Sequence, residues 1–213
     1  MKIFPAIDIR DKKVVRLTFG DYDQMKIYAD DPLQIAKNFC DCGSKNLHVV
    51  DLDGAKDGNL ANFDVIEKIA KNCGMFVQVG GGIRDEQRIK QYIDCGVGRV
   101  ILGTVAIEKF AFVEQMAKKY GDKIAVGVDA KDGYVAIHGW KTVTDIDSVE
   151  FCQKLRDAGV KTVIYTDISK WHLRRHLFSR VQLRAYPFCP IRPQRNPSQQ
   201  ALPSSLHEDR RSF

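Results

Sequence analysis

The chain has 213 residues, 44% of them apolar, so it is long enough to bury one sizeable core. No apolar run approaches the roughly 20 residues of a membrane-spanning helix, and the N-terminus lacks the pattern of a signal peptide, which predicts a cytoplasmic protein outside the membrane. The six cysteines include no C-x-x-C pair. The sequence therefore predicts reduced thiols, without a zinc site or a disulfide framework.

The net charge of +6 comes entirely from residues 171–213. Residues 1–170 hold equal numbers of basic and acidic side chains, whereas residues 171–213 hold eight arginines and two acidic residues. All 16 glycines precede Lys170, and five of the seven prolines follow it. We therefore divide the chain into a folded region, 1–170, and an Arg/Pro-rich tail, 171–213, which we expect to be extended or disordered.

The first 170 residues alternate β-rich runs with amphipathic helical stretches, which predicts parallel β/α units. Strands are predicted at Lys2–Asp8, Leu47–Leu52, Met75–Val79, Arg99–Leu102, Ile124–Asp129 and Thr162–Thr166. Helices are predicted near Pro32–Cys42, Phe63–Cys73, Glu86–Cys95, Val105–Tyr120 and Val149–Ala158. The predicted N-caps are Asp31, Asn62, Asp85 and Thr104, and the predicted helix stops are Gly43, Gly96 and Gly159. The pattern predicts about six β/α units.

The sequence also repeats internally. The segment PAIDIRDKKVVR aligns with VGVDAKDGYVAI, which pairs Asp8 with Asp129. The segment CGSKNLHVVDL aligns with AGVKTVIYTDI, which pairs Asp51 with Asp167. Each match puts a carboxylate at the C-terminal end of a strand, where barrel enzymes build their active sites. An Asp can also simply cap a turn, but a pair matched across a repeat favours catalysis.

Two kinds of chemistry follow from these motifs. Asp8 and Asp129, facing one another across a barrel mouth, could divide acid and base work. The run VQVGGGIRD ends a strand with glycines and opens a helix, which is typical of a phosphate cradle, although it could also be a tight turn. Gly103 and Thr104 repeat this arrangement one unit later.

Taken together, PAIDIR, VVRLTFGDYD, LHVVDLDGAKDG, VQVGGGIR, ILGTVAI, GVDAKDGYVAIHGW and YTDIS resemble the phosphoribosylformimino-aminoimidazole carboxamide ribotide isomerases of histidine biosynthesis. The resemblance runs from Met1 to about Lys170. It implies a (β/α)₈ TIM barrel, incomplete here, and an Amadori rearrangement of a bisphosphorylated substrate without metal or cofactor. The cyclase subunit of imidazole glycerol phosphate synthase is similar but fits less well, because it opens with a cysteine-containing strand and a lysine-bearing loop.

The resemblance also implies residue roles. Asp129 is expected to protonate the ribose ring oxygen, and Asp8 is expected to remove the C2 proton. The first of two phosphate sites would contain Gly81, Gly82, Gly103 and Thr104. Arg16 could pair with phosphate or be merely solvated, and Trp140 could stack on the imidazole carboxamide or anchor its loop. Asp51 and Asp167 could bind hydroxyls or brace the site. His48 could be a ligand-binding residue, but a buried packing role is slightly favoured.

The resemblance ends after TDISK, where the family continues with Asp-Gly. Possible codons for WHLRRHL, when they are read in a shifted reading frame, encode the family's Asp-Gly-Thr-x-x-Gly-Thr. We therefore interpret the tail as a frameshift product. Six strands cannot close an eight-stranded ring, and we expect strands one and six to expose edges through which copies of this normally monomeric family could associate. We accordingly expect impaired activity.

Two other functions remain open. A phosphate-binding remnant would keep the glycine loops without catalysis. A nucleic-acid binder would use the arginines of the tail, but the tail lacks lysine and any recognisable binding module.

Sequencing the gene through the codons for Lys170 and Trp171, and for roughly 80 codons beyond, tests the frameshift interpretation. We expect a displaced frame to encode a seventh-strand glycine loop and an eighth strand. If no frame encodes them, the interpretation is wrong and the phosphate-binding remnant is favoured.

Overall fold

A computed structural model of the chain describes residues 2–18, 21–168 and 181–183. Its strands are β1 (Ala6–Arg10), β2 (Lys13–Thr18), β3 (Asp21–Ala29), β4 (Asn46–Asp51), β5 (Phe76–Gly80), β6 (Arg99–Leu102), β7 (Ile124–Lys131), β8 (Tyr134–Ile137), β9 (Thr142–Asp147), β10 (Val163–Asp167) and β11 (Val181–Leu183). Its α-helices are α1 (Pro32–Asp41), α2 (Leu52–Asp57), α3 (Phe63–Asn72), α4 (Glu86–Asp94), α5 (Val105–Glu108), α6 (Phe110–Tyr120) and α7 (Ser148–Asp157).

The centre of the fold is a parallel sheet in which β1, β4, β5, β6, β7 and β10 lie side by side in sequence order. These are the six predicted strands, so the α/β class is confirmed, and the arrangement is that of a partial (β/α) barrel. The first strand was predicted too early, because it spans Ala6–Arg10 and not Lys2–Asp8.

The main core lies between this sheet and the helices. Alternate strand residues such as Ile7, Val49 and Val126 are fully buried and pack with helix residues such as Ile66 and Leu155. A second, smaller cluster lies on the opposite, inner face of the sheet and consists of Ile101, Ala125 and Ile164. Since successive strand side chains point to opposite faces, these clusters define an outer, helix-covered face and an inner face.

All four predicted N-caps lie at the N-cap positions of their helices, and two of them also cap with their side chains. Asp31 accepts hydrogen bonds from the first turn of α1, and Asp85 does so for α4. Asn62 and Thr104 also occupy the N-cap positions, of α3 and α5, but their side chains make no capping hydrogen bond. Both side chains instead have partners distant in sequence, which a local capping rule does not consider. The predicted stops Gly43, Gly96 and Gly159 do follow helices and have positive φ angles.

The sequence analysis missed two β-hairpin extensions and one helix. β1 continues into β2 and β3, and β7 continues into β8 and β9, each antiparallel to its predecessor. The helix α2 was read as loop, and the helix predicted at Val105–Tyr120 is broken at Lys109 into α5 and α6. Polar residues are frequent in both hairpins, which weakens the apolar periodicity on which strand prediction depends.

The predicted exposed edges are partly wrong. β1 pairs with β2 through Asp8–Arg10, and β10 pairs in parallel with β11 through Val163–Tyr165. A strand edge carries unpaired N–H and C=O groups, so both pairings satisfy backbone that would otherwise be open. The strand β11 lies in the tail, for which no strand was predicted. The rest of that tail, with Cys189 and all eight of its arginines, lies outside the described residues.

The internal repeat is visible in the sheet register. Asp8 lies opposite Val15 in the first hairpin, and Asp129 lies opposite Ala136 in the second. Each residue of the second pair is 121 positions after its counterpart in the first pair. The helices α1 and α7 are likewise equivalent, each following an aspartate cap. The two halves therefore present the same strand, hairpin and helix in the same order, which confirms the repeat as a structural one.

No helix within the described parts of the chain is long and apolar enough to cross a membrane. The five described cysteines are free thiols.

Candidate active site

Asp8 and Asp129 lie on the inner face of the sheet. Ile7 and Ile9, on either side of Asp8, are buried against the helices, so the alternation turns Asp8 to the opposite face. The same pattern holds for Asp129, whose neighbours Val128 and Ala130 are buried. Both aspartates are half-buried. The structure thus places the two predicted carboxylates on one face, near the C-terminal ends of their strands.

Asp51 and Asp167, the second matched pair, differ in their surroundings. Asp51 ends β4 and is completely buried. Its Oδ1 accepts hydrogen bonds from the Gly54 N–H at 2.9 Å and from Asn62 Nδ2 at 2.7 Å, and Tyr92 Oη lies 3.4 Å from Oδ2. Asp167 ends β10 and is half-buried. This placement of Asp51 favours the bracing role of its two predicted alternatives.

Burial decides the protonation equilibrium of Asp51. The loss of hydration raises the pKa of its carboxyl above the ordinary 3.8, and the nearby charge of Asp53 acts in the same direction. The hydrogen bonds from Gly54 and Asn62 oppose this rise without cancelling it. The pKa of the Tyr92 phenol is raised as well, because the phenol is buried and the Asp51 carboxylate lies next to it.

Gly81 and Gly82 lie directly against the turn that begins at Asp51. Both have positive φ angles, +120° and +67°. A Cβ atom at Gly81 would overlap the Asp51 carbonyl oxygen, and one at Gly82 would overlap the Gly54 carbonyl oxygen. Close packing of two loops therefore requires glycine here, whether or not the loop also binds phosphate.

Gly103 and Thr104 follow β6, next to the tip of the β8–β9 hairpin. The backbone N–H of His138 donates to Thr104 Oγ1 at 3.2 Å, and His138 Nε2 lies 3.1 Å from Glu108 Oε1. Trp140 is half-buried in the same tip and has a φ of +71°. The hydroxyl hydrogen of Thr104 remains available to an oxygen acceptor, since its oxygen is the acceptor in this contact.

The two remaining candidate site residues are Arg16, on the first hairpin, and His48, in the parallel sheet. Arg16 is exposed on β2, opposite Lys26 of β3. His48 is buried in β4, and its Nδ1 lies 2.8 Å from Gln78 Nε2, while Gln78 Oε1 accepts from Arg99 at 3.3 Å. The prediction of a packing role for His48 is consistent with this burial.

Comparison with known proteins now defines the family. Residues 2–171 match the family described as histidine biosynthesis protein. The chain belongs to the histidine biosynthesis protein family.

Relatives in three bacteria support the assignment. The chain is 53% identical over 170 residues to a protein of Brachyspira hyodysenteriae (strain ATCC 49526 / WA1), 54% to one of Campylobacter concisus (strain 13826) and 48% to one of Clostridioides difficile (strain 630). Each match covers 80% of this chain and 71% of the relative. All three relatives are named 1-(5-phosphoribosyl)-5-((5-phosphoribosylamino)methylideneamino) imidazole-4-carboxamide isomerase.

Two side chains of this histidine biosynthesis protein have supporting roles that were not predicted from the sequence, Asn62 and Arg88. Asn62 is fully buried and bonds to Asp51, Asp53 and the Lys12 backbone. Arg88 of α4 donates to the carbonyl oxygens of Gly82 at 3.0 Å and Gly58 at 2.8 Å. Only the spacing of Asp51 and Asp53, two carboxylates at the end of a buried strand, could have signalled a polar network here.

No cluster of three or more His, Cys, Asp or Glu residues in the described ranges has the arrangement of a metal site.

Replacing Asp51 with Asn tests the buried charge. The amide keeps the shape and can still accept from Gly54 and Asn62, but it does not titrate. Because the pKa of Asp51 is raised on folding, the wild type loses stability relative to Asp51→Asn as pH rises above 3.8. We expect urea unfolding to show an advantage for Asp51→Asn that grows as the pH rises above about 4, by about 1.4 kcal/mol per unit of pKa elevation.

Asp57→Asn, which changes an exposed carboxylate in α2, is the control for this titration. A difference between wild type and Asp51→Asn that is constant over the pH range would contradict the assignment.

Replacing Gly82 with Ala tests the close packing of the two loops. Gly139 has nearly the same φ, +64° against +67°, but has open space where its Cβ would lie. Gly139→Ala should therefore cost only the backbone strain, about 1–2 kcal/mol, in the free energy of unfolding. Gly82→Ala should cost about 3 kcal/mol or more, because its methyl group also meets the Gly54 backbone. Equal losses would show that the loops can separate freely.

Proposed function

We propose that the chain carries the site of an intramolecular aldose–ketose isomerase, which converts the bisphosphorylated ribosylamino imidazole carboxamide intermediate of histidine biosynthesis. The observation that supports this most strongly is the matched placement of Asp8 and Asp129 on one inner face. Relatives 53% and 54% identical over 170 residues bear the name of this isomerase, which favours it over the cyclase alternative.

The rearrangement needs an acid and a base. Asp129, protonated, would give its proton to the ribose ring oxygen, so that the C1–O bond breaks and C1 becomes a protonated imine. The imine makes the C2 proton acidic, and Asp8, ionised, would remove it to leave an enolamine. Proton return to C1 and loss of the hydroxyl proton at C2 then give the aminoketose. Two carboxylates in opposite protonation states suffice for these steps, and the proposal includes no cofactor.

Phosphate binding would orient the sugar for these transfers. We assign one phosphate to the backbone N–H groups of the Gly81–Gly82 loop and of Gly103, with the Thr104 hydroxyl as a further donor. Arg88 stabilises the loop through the Gly82 carbonyl oxygen. Arg16 and Trp140 lie on the two hairpin extensions, from which they would contact phosphate and the imidazole carboxamide. We further propose that the protein is cytoplasmic and monomeric.

The second candidate is a phosphate-binding protein without catalysis. The family match ends at residue 171, so most of the tail lies outside it. Such a protein would keep the glycine loops and be stabilised by phosphate, but it would not turn over substrate.

Asp8→Asn and Asp129→Asn test the assignment directly. Each amide keeps the size of the side chain but cannot transfer the proton, so we expect kcat to fall by about 10²–10⁴-fold. Stabilisation by inorganic phosphate, measured as a rise in Tm, should persist because the glycine loops are unchanged. The measurement is chromatographic detection of the aminoketose product.

Asp132→Asn, in the exposed turn of the second hairpin, is the matched control and should keep wild-type kcat. If phosphate stabilises the unmodified chain but the unmodified chain does not turn over substrate, the second candidate is favoured. Turnover that survives in both aspartate variants would overturn the assigned roles.

A further inference from the structure

The turn that follows Asp8 has an unfavourable backbone. Asp11 and Lys12 join β1 to β2 and have φ angles of +49° and +60°. Both central residues of a two-residue hairpin turn of this kind need positive φ, for which Asn-Gly or Asp-Gly is preferred. A residue with a Cβ is disfavoured in this region, because the Cβ comes too close to the following carbonyl oxygen. The second half uses Asp132 and Gly133 at the equivalent turn, with φ of +52° and +92°.

A polar network that is buried at Asn62 and exposed at Asp11 holds the unfavourable turn. Asn62 Oδ1 accepts from the Lys12 N–H at 2.9 Å, and Asp53 Oδ2 accepts from the Asp11 N–H at 2.7 Å. Asn62 Nδ2 donates to Asp53 Oδ2 at 2.8 Å and to Asp51 Oδ1 at 2.7 Å. The amide of Asn62 is therefore the group that joins the turn to the buried carboxylate.

The same network reaches the glycine loop. Asp51 also binds the Gly54 N–H, and Gly54 lies against Gly82 so closely that no Cβ fits between them. One side chain, Asn62, thus links the hairpin that starts at Asp8 to the loop assigned to phosphate. It is fully buried and so cannot itself touch substrate.

We propose that Asn62 is a positioning residue, which fixes the Asp8-bearing hairpin relative to the Gly81–Gly82 loop by holding the Asp11–Lys12 turn in its left-handed conformation. This inference rests on the proposed isomerase function for its effect on kcat, but its structural part stands independently. The base must lie within hydrogen-bonding reach of the C2 proton while the phosphate is held elsewhere, so the distance between hairpin and loop sets the rate.

Asn62→Ala tests the proposal, with Lys12→Gly as the variant that relieves the turn. We expect Asn62→Ala to lower kcat by about 10–100-fold, the cost of a displacement of about 1 Å, with KM changed less than kcat. Adding Lys12→Gly should restore most of kcat, because glycine adopts positive φ without the brace, as Gly133 does in the second half. Lys12→Gly alone should keep wild-type kcat, and so should Asn72→Ala, which changes an exposed Asn of the same helix.

A merely structural Asn62 would behave differently. It would lower Tm, yet kcat per folded molecule, measured well below Tm, would stay at the wild-type value. That result would overturn the proposal, as would a fall in kcat that Lys12→Gly does not repair.

Amide hydrogen exchange and chemical shifts decide the matter independently of turnover. The Lys12 amide should lose at least tenfold protection in Asn62→Ala, and the amide shifts of Asp8 and Val15 should move and then return when Lys12→Gly is added. Unchanged protection and shifts would overturn the positioning role. Absence of turnover in the unmodified chain, with the exchange result as expected, would count against the isomerase function alone.

Discussion

The candidate site depends on one buried charge, the carboxylate of Asp51 at the end of β4. A fully buried carboxylate is stable only when its oxygens are hydrogen-bonded, and Asp51 obtains its partners from the next turn, from Asn62 and from Tyr92. Each partner comes from a different element: α2, the start of α3, and α4. Satisfying this one group therefore brings together the segments that follow β4 and β5, and Asn62 extends the contact to the turn after β1.

The glycine run shows how packing and function can require the same residue. Gly81 and Gly82 must lack a Cβ because the loop touches the backbone of Asp51 and Gly54. A loop without side chains also leaves its N–H groups open to a phosphate oxygen. The motif alone cannot separate these causes, and only the structure shows that the packing requirement exists. The proposed phosphate binding would then be an additional use of a loop already constrained to glycine.

The sequence predicted what depends on local pattern and missed what depends on distant contacts. Six strands were found because their residues are buried on the outer face and short apolar runs mark them. The pairing of Asp8 with Asp129 was found because duplication repeats a pattern. Asn62 was correctly placed at the start of a helix, but its side-chain partners could not be predicted, since Lys12 and Asp51 are 50 and 11 residues away. The strand β11 was not predicted, because its pairing is determined by the open edge of β10 and not by its own sequence.

The two halves reach the same geometry by different means. Asp8 and Asp129 have equivalent registers in their hairpins, but the turn after Asp8 contains no glycine, whereas the turn after Asp129 contains Gly133. The first turn is stabilised from outside, by Asn62 and Asp53, and the second by its own composition. Since the register is common to both halves and the turn chemistry is not, the shared constraint is the position of the carboxylate on its strand, three residues before the turn begins. That is the constraint expected if the two aspartates act together on one substrate.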